Sequence, residues 1–248
     1  SAYLKKDPKI EKKISVQPFI FKPDTLEKIL EQYTVKPDVA AFSIAMWSEQ
    51  LSLSVARVLK DRWPECRIVF GGASCPHNAS EYMKKHTSID FCIRAEGEVA
   101  FKSLIAALLT KEKKVNEVPH LTWRNESGDI IVNTQSVEFT KTLDEFPSPY
   151  LTGEFDYLLK DGHKQQAIIE TNRGCPFKCT FCDWGSATAA KVTKFDMSRI
   201  EKEVEWFARN KIEFIFCCDA NFGMLKRDFE IVEMVAASKK KTGYPHAL

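Results

Sequence analysis

Apolar residues in the first half of the chain follow two spacings. Val39-Ala40-Ala41-Phe42, Ile68-Val69-Phe70 and Ile89-Asp90-Phe91-Cys92-Ile93 are short, nearly continuous runs. Between them apolar residues recur every three or four positions: Leu26, Ile29, Leu30, Tyr33; then Leu51, Val55, Val58, Leu59; then Phe101, Leu104, Ile105, Leu108. The runs predict strands covered on both faces, and the wider spacing predicts amphipathic helices, with a further helix around 79–85. Asp24, with Glu27 three residues on, predicts the first helix start. Ser1 to Lys6 reads as the tail of a helix, and Ile14-Ser15-Val16 and Phe19-Ile20-Phe21 as strand-like. Strands alternating with helices imply a parallel sheet of βαβ units, and right-handed crossovers make it an open, doubly wound, Rossmann-like α/β layer. Its ligand crevice belongs at the carboxyl ends of the strands: Ser43 to Trp47, Gly71 to Ser74 and Ala95 to Glu98.

After Pro119 the pattern changes. Leu121–Arg124 and Asp129–Val132 flank Asn125-Glu126-Ser127-Gly128, a hairpin signal. The segment 134–164, with Pro147, Pro149 and Gly153, reads as a surface connector between a first domain (1–133) and a second (165–248). The second begins with the strand Ala167-Ile168-Ile169. A helix capped by Ser198 and Glu201 and striped by Ile200, Val204 and Phe207 follows, then the strand Phe214–Cys218 and a helix over about 227–239. This βαβα run is the opening of a (β/α) barrel, a fold that takes roughly 200 residues or more when complete. The sequence therefore reads as a fragment at both ends.

Composition narrows the class. With 44% hydrophobic and 28% charged residues the chain is a soluble, core-forming protein. Net charge is +2, and the basic runs at 111–114 and 239–241 lie beside acidic residues or near a terminus, so no nucleic-acid surface is expected. No apolar stretch approaches the roughly 20 residues of a membrane span, and Lys5, Lys6 and Asp7 interrupt any signal peptide. Eight cysteines without small-secreted-domain character point to a reducing, cytoplasmic setting.

Chemistry concentrates in Glu170-Thr171-Asn172-Arg173-Gly174-Cys175-Pro176-Phe177-Lys178-Cys179-Thr180-Phe181-Cys182-Asp183-Trp184-Gly185. Cys175, Cys179 and Cys182 stand at C-x3-C-x2-C spacing directly after a predicted strand. Soft thiolates suit iron–sulfur clusters and zinc, and three of them leave one iron of a [4Fe-4S] cubane without a protein ligand. The segment resembles the signature of the radical SAM enzymes. The resemblance implies a cluster held by Cys175, Cys179 and Cys182, whose open iron chelates S-adenosylmethionine. Phe181 then meets the adenine through its backbone, or else is core. Asp219 and Asn221, at the end of the next strand, fall where the family contacts the methionine moiety. The Asp219-Ala220-Asn221 sequence departs from the family's Gly-Gly-Glu-like stretch, and Asp219 reads equally as a helix N-cap. Asp183 and Trp184 are assigned no chemistry.

The three crevice loops of the first domain resemble the cobalamin-binding domain of one radical SAM subgroup. That resemblance places Ser43, Gly71, Gly72, Glu96 and Gly97 around cobalamin, although Ala95 stands where glycine is common. His77 is not nominated as a cobalt ligand. Together the resemblances imply a cobalamin-dependent methyltransferase that alkylates an unactivated carbon through a 5'-deoxyadenosyl radical and methylcobalamin. Such an enzyme takes a small-molecule or peptide substrate and an electron from a reductant such as flavodoxin or ferredoxin. Relatives with the same cofactors rearrange rings instead. Two other readings stay open: a methylthiotransferase with an auxiliary cluster on Cys66, Cys75 and Cys92, and a non-catalytic zinc-binding interaction module.

Overall fold

A computed structural model describes residues 1–94, 96–110, 114–135, 142–161, 165–182 and 191–248. Ala95, Asp183 and Trp184 lie outside the described residues. The chain forms two compact units, Pro8–Phe139 and Ser1–Asp7 with Thr140–Leu248.

A short helix α1 (Ala2–Lys5) opens the chain, and α2 (Pro8–Glu11) begins the first unit. There follow α3 (Leu26–Glu31), β1 (Val39–Ser43), α4 (Glu49–Arg62), β2 (Arg67–Gly71), α5 (Ser80–Lys85), β3 (Phe91–Ile93), α6 (Gly97–Leu109), β4 (Leu121–Arg124) and β5 (Ile130–Val132). Strands β1, β2 and β3 are parallel neighbours, with Phe42 opposite Phe70 and Phe70 opposite Cys92. Successive side chains of a strand point to opposite faces, and β2 shows the result. Ile68 and Phe70 pack with Leu53, Val55, Ala56 and Leu59 of α4 and Met83 of α5. Val69 packs on the other face with Ala100 and Leu104 of α6. Helices thus cover both faces, the doubly wound layer read from the sequence.

Asp90 interrupts the apolar run before β3 for a reason. Its carboxylate accepts from the Ile68 backbone N–H at 2.7 Å and from Lys60 Nζ at 2.7 and 3.0 Å. A buried carboxylate is tolerated because each oxygen has a donor.

Several expectations are corrected. The 14–21 segment forms no strand: Val16, Phe19 and Phe21 are exposed, it pairs with no strand among the described residues, and Ile20 packs on the core beside α4. β1, the edge strand, is covered unevenly: Ala40 and Phe42 pack on the α4 side and Val39 on the α6 side, while Ala41 is exposed. Thr25, not Asp24, caps α3, its hydroxyl accepting from Lys28 N while Asp24 accepts from Thr25 N. Leu108 faces solvent at 37% exposure, one turn beyond the buried Leu104 and Ile105. The expected hairpin forms and extends the sheet: β4 pairs antiparallel with β3 and β5 with β4, so the sheet runs β1-β2-β3-β4-β5.

The second unit contains β6 (Gln166–Ile169), β7 (Asn172–Arg173), β8 (Thr193–Lys194), α7 (Met197–Arg209), β9 (Phe214–Cys217) and α8 (Lys226–Thr242). β6 and β9 are parallel, with Ile169 opposite Cys217. Ala167, Ile169 and Ile215 are buried together with Ile200, Val204 and Phe207 of α7 and Ile231 and Val235 of α8, while Ile168, Phe214 and Phe216 stay exposed. Asp196 rather than Ser198 caps α7, accepting from Ser198 N at 2.8 Å.

The expected surface connector is partly core. Leu143, Phe146 and Ser148 are buried, and Tyr150 packs its ring on Trp206 and Phe207. The Tyr150 hydroxyl donates to Ile168 O at 2.6 Å and is approached by Ile168 N at 3.1 Å. Burial pushes this phenol up to about 12, so it keeps the proton it donates.

Candidate cofactor site

In the second unit the cysteine segment leaves β6 and is clamped at its base. β7 and β8 form a two-residue antiparallel ribbon, Asn172 opposite Lys194 and Arg173 opposite Thr193, which closes the neck of the loop. Gly174 follows at φ +99°, and a Cβ there would lie 2.5 Å from the Lys191 carbonyl oxygen. Only glycine gives the chain this turn at this closeness.

Asp219, at the end of β9, is the second clamp. Its carboxylate accepts from the backbone N–H groups of Thr171 (2.7 Å) and Asn172 (3.2 Å), from Asn172 Nδ2 (2.7 Å) and from the Thr171 hydroxyl. Thr171 and Asn172 are buried. The N-cap reading of Asp219 is overturned, because α8 starts only at Lys226. Leu225 is the N-cap residue, and Asp228, three residues on, reaches back to accept from Leu225 N and Gly223 N.

Cys175 is buried, and Asn221 Nδ2 lies 2.9 Å from its sulfur. Cys179 and Cys182 are exposed in one turn closed by Cys182 N donating to Cys179 O. Among the described residues no three cysteine, histidine, aspartate or glutamate side chains converge closely enough to hold a metal ion. The donor set nevertheless fits a cluster in its chemistry: three soft sulfurs, Cys175 buried and Cys179 and Cys182 together on one exposed turn. Phe181 is 90% exposed, which overturns its reading as core. Burial pushes Cys217 and Cys218 up to about 12 and about 11, and the Cys218 thiol donates to Ile169 O.

In the first unit the parallel register brings the carboxyl ends of β1, β2 and β3 to one edge. Ser43 is opposite Gly71, and a Cβ on Gly71 would approach the Ile93 carbonyl at 3.6 Å. Gly72 has φ +101° and sits against Ile44, where a Cβ would fall 2.7 Å from the carbonyl oxygen. Glu96 is the N-cap residue of α6, and Gly97 is its first residue with open space where a side chain would project. Met46 and Trp47, 82% and 86% exposed, add an apolar rim to the same edge. The sequence reading placed them in a crevice loop without a role; two large apolar residues directly after a strand were the available signal. The α6 N-terminus, the open space at Gly97 and an apolar rim together suit a corrinoid with its phosphate-bearing tail.

Cys66, Cys75 and Cys92 do not make a second cluster. Cys66 precedes β2, whereas Cys75 follows it and hydrogen-bonds with Cys92 on β3. That contact, with Arg94 nearby, holds the Cys75 thiol below its ordinary range, while the same contact and burial raise Cys92, and burial raises Cys66. Iodoacetamide labelling is expected to modify Cys75 at lower pH than a free cysteine, since the thiolate is the nucleophile. Mass spectrometry across a pH series checks this; onset at or above that of free cysteine would refute it.

No family model matches the chain. Over 215 residues it is 38% identical to the cobalamin-dependent radical SAM methyltransferase TokK of Streptomyces tokunonensis, a match covering 85% of this chain and 31% of TokK. Over 247 residues it is 36% identical to the 2-(S-pantetheinyl)-carbapenam-3-carboxylate methyltransferase of Streptantibioticus cattleyicolor, covering 98% of this chain and 36% of that protein. The chain belongs to the cobalamin-dependent radical SAM family. It spans 31% and 36% of the length of these two relatives. Among solved structures, the cobalamin-dependent radical enzyme OxsB has the same fold, with a TM-score of 0.67 at 21% identity over 88% of this chain and 31% of OxsB. Among the described residues no helix is long and apolar enough to cross a membrane.

Proposed function

We propose that this chain supplies the cobalamin-binding layer and the cluster-bearing strand of a radical SAM methyltransferase working in the cytoplasm. The observation that carries the reading is the identity of 38% and 36% to two such methyltransferases across 85% and 98% of the chain. Cys175, Cys179 and Cys182 would hold a [4Fe-4S] cluster that binds S-adenosylmethionine. Ser43, Gly71, Gly72, Glu96 and Gly97 would surround cobalamin. When bound, these groups supply a 5'-deoxyadenosyl radical and a methyl group, the chemistry no side chain can perform.

The protein's own part is positional. The β7–β8 ribbon, Gly174 and Asp219 fix where the cysteine loop leaves the sheet. The α6 N-terminus points backbone N–H groups at the crevice edge, where a phosphate-bearing ligand is stabilised. One electron is drawn from a small redox protein such as flavodoxin or ferredoxin. A carbapenam carrying a pantetheinyl thioether, the substrate for which the Streptantibioticus cattleyicolor relative is named, is the first substrate to try.

The test is anaerobic reconstitution of the intact protein with iron and sulfide, then incubation with cobalamin, S-adenosylmethionine and a reductant. Formation of 5'-deoxyadenosine together with a methylated product is the expected result. Bound zinc without iron–sulfur absorption would leave only an interaction module. 5'-Deoxyadenosine without methyl transfer would assign another radical reaction.

A further inference from the structure

The family resemblance placed Asn221 at the methionine end of S-adenosylmethionine, but the geometry gives its amide a different partner. Asn221 Nδ2 is 2.9 Å from Cys175 Sγ, across 46 residues of sequence. Nothing in that contact is incidental to the local fold. Two residues earlier, Asp219 is tied to Thr171 and Asn172, and Cys218 N donates to Ile169 O, so the chain entering position 221 is registered against the chain entering position 175. Met224 N donates to Asn221 O and fixes the other side of the turn. The amide therefore meets the sulfur from a preset direction.

We infer that Asn221 is a positioning residue for the cluster, donating a hydrogen bond to the Cys175 thiolate and thereby raising the potential at which the cluster accepts its electron. The inference rests on the proposed cluster ligation by Cys175. An N–H aimed at a ligating sulfur withdraws electron density from it. The added electron of the reduced cluster is then less destabilised, and hydrogen bonds to sulfur are among the determinants of cluster potential. The same bond orients the buried sulfur before iron arrives, while Cys179 and Cys182 remain on the exposed turn. Asn221 would thus act through the ligand, and S-adenosylmethionine would take its contacts from other residues.

The experiment uses the intact, anaerobically reconstituted protein and its N221A, N221D and N221S variants. Iron per chain and the midpoint of a reductive titration followed by electron paramagnetic resonance are read for each. The expected result is a lower midpoint for N221A than for wild type, and a lower one still for N221D, which replaces the donor by a negative acceptor. N221S, which keeps a donor on a shorter arm, should lie between N221A and wild type. Midpoints that coincide across all four proteins at equal iron would overturn the inference. If N221A fails to hold iron, N221S must retain more of it; equal loss in both would also overturn it. A wild-type protein that takes up no iron would instead sink the cluster reading itself, and this inference with it.

Discussion

Replacing Asp219 with alanine is expected to destabilise the second unit by about 3 kcal/mol or more, since each buried donor left without a partner costs about 1–3 kcal/mol. Four donors on Thr171 and Asn172 converge on this one carboxylate. Their losses will not simply add, because they share one acceptor. Asp219→Asn should fall between wild type and alanine: it keeps the size but turns an NH2 toward groups that are themselves donors. Urea denaturation followed by far-ultraviolet circular dichroism checks the stability. A change under about 1 kcal/mol would mean that water replaces the carboxylate and that the clamp is unimportant. Iron retention should fall in parallel, since Cys175 lies three residues beyond Asn172.

Gly174→Ala is expected to be nearly as harmful through a different cause. At φ +99° an L-residue is strained by about 1–2 kcal/mol, and its Cβ would stand 2.5 Å from Lys191 O and 3.0 Å from Lys191 C. These contacts are backbone, so they can be relieved only by parting β7 from β8. Overpacking of this kind adds about 1–3 kcal/mol. The variant should lose thermal stability and bind less iron than wild type after identical reconstitution, even though no ligand has been changed. Full iron occupancy with unchanged melting would refute the idea that the ribbon governs the loop.

Much of this was legible in the sequence because it rests on period and spacing. The continuous runs at 39–42 and 68–70 and the cysteine triplet each carry their signal within a few residues. What escaped depends on partners far along the chain. Asp90 could not be seen to serve Lys60 and the Ile68 N–H, contacts 30 and 22 residues away. Asp219 looked like a cap because aspartate after a strand usually precedes a helix. Its actual donors lie 47 and 48 residues back. The 14–21 segment has strand-forming residues but pairs with no strand among the described residues, and β propensity expresses little without a partner. Tyr150 was invisible for the same reason, being one of several aromatics scattered through an aperiodic stretch, with its partner at the edge of β6.

That edge has a consequence for how the second sheet can be extended. The carbonyls of Gln165 and Ile169 serve the β9 side, accepting from Glu213 N and Cys218 N, so the N–H and C=O of Ile168 face the other way. A phenol occupies that rung where backbone would otherwise dock. β6 is consequently the outermost stave on its flank, closed to strand addition and to the edge-to-edge association that exposed strands invite. Further staves can join only beyond β9, where Phe214 already bridges Ala247 in parallel. A wall assembled in that direction alone keeps a seam beside Tyr150.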